Sequence, residues 1–117
     1  MKRILVCGGR DYDNKEYLFS VLDKANTRWR NIVIIHGAAT GADELAAEWS
    51  IERQVDVECY PANWKQYGKR AGFIRNSQML NEGHPDLVIA FPGGNGTAMM
   101  VKLAKAANIS VIEIKDD

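Results

Sequence analysis

Residues 86–100 read DLVIAFPGGNGTAMM. The apolar segment breaks at a glycine-rich turn and apolar residues then resume at helical spacing, which predicts a buried strand, a turn and a helix N-terminus. Glycines lack a Cβ, so backbone N–H groups can approach a ligand closely, and a helix start adds unpaired N–H groups and the positive end of its dipole. The segment therefore predicts a binding site for an anion, most often a phosphate.

The rest of the chain repeats this alternation of strand and helix. Apolar residues at i, i+3, i+4 and i+7 indicate helices around Leu18–Ala25, Ala42–Trp49 and Met100–Ala107, and a less regular helix spans Ala71–Glu82. The predicted strands are Arg3–Cys7, Asn31–His36, Val55–Tyr60, Asp86–Phe91 and Ser110–Ile114. Strands that alternate with helices form a parallel sheet with both faces covered.

The distribution of charge among the strands predicts their order. Residues 4–6, 32–35 and 87–91 of the first, second and fourth strands are continuously apolar, as central strands are, whereas the third and fifth strands place charged residues between apolar ones, as edge strands can. The resulting order is 3-2-1-4-5, an α/β fold of the Rossmann-like type with three layers, formed as one domain by residues 1–117. Strands one and four then lie side by side, and a crevice opens between their carboxyl ends.

Three turns leave the sheet at this crevice and supply the candidate ligand-binding residues. These are Gly8, Gly9 and Arg10 after the first strand, Gly37, Thr40, Gly41 and Asp43 after the second, and Gly93, Gly94, Gly96 and Thr97 after the fourth. The last turn matches neither the Walker loop nor the dinucleotide fingerprint. Two structural interpretations remain open. In one, the glycines only shape tight turns; in the other, Thr40-x-x-Asp43 is a variant capping box with aspartate in place of the usual glutamate or glutamine.

Two pairs of polar residues are further candidates. Arg10 and Asp11 follow the first strand, where they form either a surface ion pair or a phosphate-binding guanidinium next to a functional carboxylate. Arg75 and Asn76 interrupt the apolar face of the predicted helix Ala71–Glu82, so they belong either to a solvated face or to the lining of a cleft.

The longest connection, residues 61–69, carries two aromatic residues. Trp64 and Tyr67 either clamp this loop onto the body of the protein or stack on a nucleobase. His36 and His84 have no partners at metal-ligand spacing, so we assign no metal. We expect no cofactor.

Composition narrows the classes of partner. Fifteen basic and fifteen acidic residues cancel, which argues against nonspecific binding to nucleic acid. No apolar stretch approaches the roughly 20 residues that span a bilayer, so no membrane partner is expected. Cys7 and Cys59 both fall within predicted strands and are expected to be buried and free, which favours a reducing, cytoplasmic location.

Five ordered motifs resemble the SLOG superfamily and, within it, the YspA-like branch. They are GGRDY at 8–12, HGAATGAD at 36–43, ANW at 62–64, AGFIRN at 71–76 with Met79, and FPGGNGT at 91–97. The resemblance implies a Rossmann-like fold and a nucleotide or nucleotide-derived ligand. The superfamily includes the lonely-guy phosphoribohydrolases, which commonly dimerise, and DNA-processing protein A. A homo-oligomer is therefore plausible by resemblance.

The phosphoribohydrolase pattern is matched only in part. Its Pro-Gly-Gly-x-Gly-Thr motif corresponds to residues 92–97, and its catalytic arginine and following methionine correspond to Arg75 and Met79. Its catalytic glutamate falls where this chain has Met99 or Met100. Glycosidic cleavage normally needs a carboxylate, which Asp11 or Asp43 would have to supply.

The sequence thus supports two main hypotheses. The first is a sensor or processing protein that binds a nucleotide or ribose-phosphate ligand at the crevice. The alternative is an N-glycosidic or phosphoribosyl hydrolase acting on nucleoside monophosphates, with Arg75 and Asp11 as catalytic residues. A DNA-binding module is disfavoured by the charge balance, and a partner-binding domain with an empty crevice is the remaining possibility.

Overall fold

The computed structural model describes residues 1–115, in which helices and strands alternate along most of the chain. The first half contains β1 (Lys2–Cys7), α1 (Lys15–Trp29), β2 (Ile32–His36), α2 (Ala42–Arg53) and β3 (Asp56–Cys59). The second half contains α3 (Trp64–Tyr67), a 3₁₀ turn (Gly68–Arg70), α4 (Ala71–Gly83), β4 (Leu87–Ala90), α5 (Asn95–Ala106) and β5 (Ser110–Glu113). All five predicted strands are confirmed, each to within one residue at both ends.

The sheet confirms the predicted strand order. Its five strands run in the order β3-β2-β1-β4-β5, and every neighbouring pair is parallel. In the centre, Leu5 of β1 is in register with Ile35 of β2 and Val88 of β4. These three side chains are fully buried, whereas the edge strands β3 and β5 contain no buried residue. The charged residues within β3 and β5 therefore correctly identified these two as the edge strands of the sheet.

Two hydrophobic clusters cover the two faces of the sheet. One cluster packs α1 and α2 against residues such as Ile4 and Ile34, and it includes the fully buried Trp49. The other packs α4 and α5 against alternate residues such as Leu5 and Val88. Helices on both faces of a parallel sheet form the Rossmann-like α/β sandwich that the sequence predicted.

The helices differ in how they begin. The side chain of Asn14 caps α1 by accepting a hydrogen bond from the backbone N–H of Tyr17 at 3.2 Å. Neither α2 nor α5 has a side-chain cap, because a glycine occupies the N-cap position of each. Both of these helices begin at the crevice, so their first N–H groups point to the edge of the sheet where the turns meet.

The connection after β3 differs from its predicted form. It contains the single helical turn α3, capped by Asn63, whose side chain accepts from the N–H of Gln66 at 3.0 Å. The 3₁₀ turn joins α3 directly to α4. Trp64 and Tyr67 are 47% and 42% exposed, so each side chain is only partly covered, and clamping of the loop and stacking on a nucleobase both remain interpretations of this pair.

The two cysteines are both free, but only one is buried. Cys7 ends the central strand β1 and is buried, whereas Cys59 ends the edge strand β3 and is exposed. The expectation of burial was therefore wrong for Cys59, because an edge strand leaves its end uncovered. Among the described helices, none combines the length and apolar character needed to cross a membrane.

Candidate functional site

A cavity of about 400 Å³ opens at the carboxyl ends of β1 and β4. We call it the main cavity; its volume falls within the range typical of small-molecule sites. It lies where the chain leaves adjacent strands in opposite directions, the position at which open α/β sheets bind ligands. The structure therefore places the cavity at the crevice that the strand order predicted.

Nine of the predicted site residues line the main cavity. They are Gly8, Gly9 and Arg10 from the turn after β1, Asp43 from α2, Arg75 and Asn76 from α4, and Gly94, Gly96 and Thr97 from the start of α5. For Arg75 and Asn76, the structure supports the lining of a cleft rather than a solvated face, since Asn76 is only 6% exposed.

The other predicted residues lie outside it. Gly37 and Thr40 line an adjacent side groove of about 310 Å³, which shares Arg10 and Arg75 with the main cavity. Asp11 and Gly93 line an outer depression, which shares Gly9, Arg10 and Gly94 with the main cavity. The structure thus does not bring the Asp11 carboxylate to the lining of the main cavity.

The glycines of the turns serve two different purposes. A Cβ on Gly8 would lie 2.6 Å from the Cβ of Ala42, and one on Gly93 would lie 2.6 Å from the backbone nitrogen of Gly9. Gly41, at φ +76°, would collide with the backbone of the turn after β1. These positions need glycine because the turns pack against each other.

Gly94 and Gly96 are different, since a Cβ on either would have no neighbour within 4 Å in the described structure. The N–H group of Ala98 donates a hydrogen bond to the carbonyl of Gly94 at 3.1 Å. The N–H groups of the preceding residues lie in the first turn of α5, where an α-helix provides no intrahelical acceptor. Backbone donors and the helix dipole are thus presented at the cavity wall without an obstructing side chain.

Arg75 connects α4 to the turn after β2. Its Nε donates to Oδ1 of Asn76 at 2.9 Å, and one terminal nitrogen donates to the backbone carbonyl of Gly37. The Nδ2 of Asn76 donates in turn to the carbonyl of Gly96 at 3.4 Å. Burial, and secondarily the nearby charge of Arg10, lowers the pKa of Arg75 from its usual value. The guanidinium is therefore fixed in place and poorly solvated, which strengthens its attraction for an anion.

Asp43 holds the same turn from the other side. Its Oδ2 accepts hydrogen bonds from the N–H groups of Gly37 at 3.0 Å and Ala39 at 3.3 Å. Burial is the main influence on its carboxyl and raises its pKa, although these hydrogen bonds and Arg75 oppose the shift. The capping-box interpretation is wrong: Gly41 is the N-cap residue, and the Thr40 hydroxyl donates to the carbonyl of Arg10 instead.

The charged residues that line the main cavity are mostly cationic. Among the described residues, Arg10, Lys69 and Arg75 bring positive charge to the lining, and Asp43 is its one acidic residue. Arg10 also stacks near Trp64, with its guanidinium carbon 5.2 Å from the centre of the indole ring. A cavity with three cations and one carboxylate favours an anionic ligand.

Several lining residues were absent from the predicted set. They include Cys7, Lys69 and Phe73. Met79, Met99 and Met100, which the sequence raised only through the family pattern, also line the cavity, as does Trp64, for which stacking on a nucleobase was one of two interpretations. The connection after a parallel strand must start at the carboxyl edge, so the position of residues 61–70 between β3 and α4 was a usable signal for Trp64 and Lys69. Met100 is 1% exposed and packs with the α4–α5 cluster, so the position expected for a catalytic glutamate is apolar here.

The described residues contain no group of three or more histidine, cysteine, aspartate or glutamate side chains placed to hold a metal ion. Burial is the main cause of the raised pKa, about 12, of the Cys7 thiol in the cavity wall, so this thiol is neutral at physiological pH. The chemistry that the site offers is therefore binding through cations, backbone N–H groups and aromatic surface.

Comparison with known proteins agrees with this architecture. The chain matches the model of the YspA, cpYpsA-related SLOG family over residues 2–67. It is 33% identical to the Gene 61 protein of Mycobacterium phage D29 over 124 residues, which cover 99% of this chain and 98% of that protein. The X-ray structure of TM1055, a structural genomics target, matches 95% of this chain and 72% of its own with a TM-score of 0.73. At 18% identity, that last similarity shows a shared fold.

Proposed function

Because the chain belongs to the YspA, cpYpsA-related SLOG family, we propose that it binds a nucleotide or a nucleotide-derived, ribose-phosphate ligand in the main cavity. In this proposal the protein acts as a sensor or a processing protein for that ligand. Membership of the family supports a nucleotide-related ligand, and the geometry of the cavity supports the positions proposed below for the phosphate and the ribose.

The observation that carries the proposal is the open start of α5 in a cationic cavity. The N-cap residue Gly94 provides no side-chain cap, and neither it nor Gly96 carries a side chain that would hold a phosphate away. A phosphate placed there accepts hydrogen bonds from the first N–H groups of α5 and from the Thr97 hydroxyl. Arg75 and Arg10 balance its charge, and Lys69 adds a third cation.

The ribose contact in this proposal comes from Asp43. One of its oxygens is occupied by the N–H groups of Gly37 and Ala39. The other oxygen is left to accept a hydrogen bond from a ribose hydroxyl. Asp11 was the alternative candidate, but its place in the outer depression makes Asp43 the better-supported residue.

Titration calorimetry with AMP, ribose 5-phosphate and adenosine tests this function. We expect both phosphorylated probes to bind and adenosine to bind at least tenfold more weakly, because a charge-assisted hydrogen bond contributes about 1.5–3 kcal/mol. Lys69→Ala should raise the dissociation constant of AMP up to about fivefold. Lys65→Ala is the matched control, since Lys65 is exposed and lies outside the main cavity. Equal affinity for adenosine and AMP would contradict the proposal.

An enzyme is the second candidate, namely an N-glycosidic or phosphoribosyl hydrolase acting on nucleoside monophosphates. The observation in its favour is that a partly buried arginine and a carboxylate of raised pKa, Arg75 and Asp43, line the same cavity. The expected pairing of Arg75 with Asp11 has less support, because Asp11 faces the outer depression. Chromatographic detection of free base after incubation with each monophosphate decides between binding and turnover. Release of free base by the wild-type protein, lost in both Arg75→Ala and Asp43→Asn, would establish that the protein is an enzyme.

We further propose that the chain forms a single domain, works in the cytoplasm and assembles as a homo-oligomer. The two free thiols are compatible with a reducing compartment, and both hydrophobic clusters share one sheet. Sedimentation velocity measures the assembly directly, and a species with the 13.1 kDa mass of one chain at all concentrations would contradict the oligomer.

A further inference from the structure

Two aromatic side chains stand half exposed in the lining of the main cavity. Trp64, at the start of α3, is 47% exposed, and Phe73, in the first turn of α4, is 48% exposed. Both line the main cavity together with the glycines at the start of α5. We call this pair the aromatic wall.

The Trp64 ring is held in a defined position. Its outer edge approaches α4 closely, because a Cβ built on Gly72 would lie 3.5 Å from the Cη2 atom of the indole. The Arg10 guanidinium lies 5.2 Å from the ring centre, within the range of a cation–π interaction. The backbone that carries the ring is fixed by the Asn63 cap of α3. The indole therefore presents a preorganised surface to the main cavity.

Exposure of these rings is not explained by core packing. Neither belongs to either hydrophobic cluster. Tyr67 lies one helical turn after Trp64 and is similarly exposed, but it does not line the main cavity. Large aromatic surface that is concentrated in a cavity and partly open to solvent is typical of a ligand-binding wall.

We infer that the aromatic wall is the subsite for a nucleobase, so that the ligand is a nucleotide that retains its base. The inference rests on the proposed function, because it takes the phosphate to lie at the start of α5. Stacking on an aromatic face tolerates any base, since every base has a π face. The wall therefore adds affinity for the base without selecting strongly among the four.

The test compares nucleoside monophosphates with ribose 5-phosphate, which has the same phosphate and sugar but no base. For the wild-type protein, we expect AMP, GMP, CMP and UMP to bind about five- to a hundred-fold more tightly than ribose 5-phosphate. Trp64→Ala should remove most of that difference and leave the affinity for ribose 5-phosphate within about twofold. Tyr67→Ala, an equally exposed aromatic on the same helical turn, should change neither affinity.

Fluorescence supplies a second readout that does not depend on the stability of Trp64→Ala. A base stacked on the Trp64 indole should quench its emission. The other two tryptophans do not line the main cavity, since Trp49 is fully buried and Trp29 packs against the cluster that covers the other face of the sheet. Trp64→Phe keeps an aromatic face, so it should retain nucleotide affinity to within about fivefold and lose the quenching. Quenching by AMP that persists in Trp64→Phe would overturn the inference.

The outcomes separate this inference from the function on which it rests. Equal binding of AMP and ribose 5-phosphate to the wild-type protein overturns the base subsite and leaves ribose-phosphate binding intact. An equal loss of both ligands in Trp64→Ala also overturns it, because the residue would then be acting on the whole cavity. Failure of all five probes to bind overturns both proposals.

Discussion

Arg75 and Asp43 together fix the turn that follows β2. The guanidinium donates to the carbonyl of Gly37, and the carboxylate accepts from the N–H groups of Gly37 and Ala39. Between them, Ala38 adopts a φ of 58°, a left-handed conformation that is unfavourable for alanine. Such a conformation persists where surrounding contacts over-determine it, and these two side chains provide those contacts. They therefore position one side of the main cavity and also line it.

Removal of the Asp43 side chain should destabilise the protein. Asp43→Ala leaves the N–H groups of Gly37 and Ala39 without their acceptor in a buried setting, which should lower the free energy of unfolding by about 1–3 kcal/mol. Urea denaturation of the unliganded protein measures this loss. Glu44→Ala is the control, since Glu44 is the exposed neighbour and should change stability by less than about 0.5 kcal/mol.

The pKa of Asp43 also predicts a pH dependence of stability. Burial raises this pKa above the unfolded value of about 3.9, so between the two values the native state binds more protons than the unfolded state. The free energy of unfolding contributed by this group therefore falls as pH rises through that window. Asp43→Asn does not titrate, so the stability of the wild-type protein minus that of Asp43→Asn should decrease as pH is raised from 3. A difference that increases with pH would mean that the folded-state pKa is lowered.

Two glycines near the start of α5 should respond to substitution in opposite ways: Gly96, in the first turn of the helix, and Gly93, in the turn that precedes it. A Cβ on Gly96 meets nothing within 4 Å in the described structure, so Gly96→Ala should leave the free energy of unfolding unchanged or raise it by up to about 1 kcal/mol. The same methyl group enters the space assigned to the phosphate, so affinity for AMP should fall at least tenfold. Thermal unfolding and calorimetry on one protein sample measure both effects.

Gly93→Ala is the contrasting variant. Its Cβ would press on the backbone nitrogen of Gly9 at 2.6 Å, so it should destabilise the unliganded protein by about 1–3 kcal/mol. If Gly96→Ala bound AMP as well as the wild-type protein, the phosphate would not lie at the start of α5.

One carboxylate of α1 accepts hydrogen bonds from two side chains of α2. Asp23 of α1 accepts from the indole Nε1 of Trp49 at 2.9 Å and from Arg53 Nε at 2.9 Å, both on α2. Trp49 is fully buried, so Asp23→Ala leaves its indole N–H group without an acceptor. This should lower the free energy of unfolding by about 1–3 kcal/mol. Asp23→Asn keeps an acceptor for the indole and should lose less than about 1 kcal/mol, because the partly exposed ion pair contributes little. Equal losses in the two variants would contradict this account.

Sequence patterns were sufficient for the sheet but not for every part of the site. The order of strands follows from where charge is tolerated, as Asp56 and Glu58 in β3 show against the uncharged β2. Because that order makes β1 and β4 neighbours, it also predicts that the turns after these two strands lie side by side. What the pattern lacks is the direction that each side chain takes from a turn, which is why Asp11 and Asp43 were equivalent candidates in the sequence. Their placement depends on contacts between turns, such as the packing of Gly41 against the turn after β1.

The protein as a whole carries no net charge, but its charges are unevenly placed. Fifteen basic and fifteen acidic residues cancel over the chain, while the lining of the main cavity has three cations and one carboxylate. Acidic side chains are used elsewhere, for example at Glu58, which pairs with Arg3 across the sheet, and at Glu48, which pairs with Lys15. Composition alone could exclude a broadly basic surface but could not reveal a local cationic cavity. The structure shows how a neutral chain can attract a small anion.

A crystal structure of the protein with AMP tests the central claim most directly. The account predicts the phosphate at the start of α5, within hydrogen-bonding distance of the Thr97 hydroxyl and the N–H groups of Asn95 and Gly96, with Arg75 beside it. A phosphate bound instead in the outer depression beside Asp11, with the start of α5 unoccupied, would contradict the account.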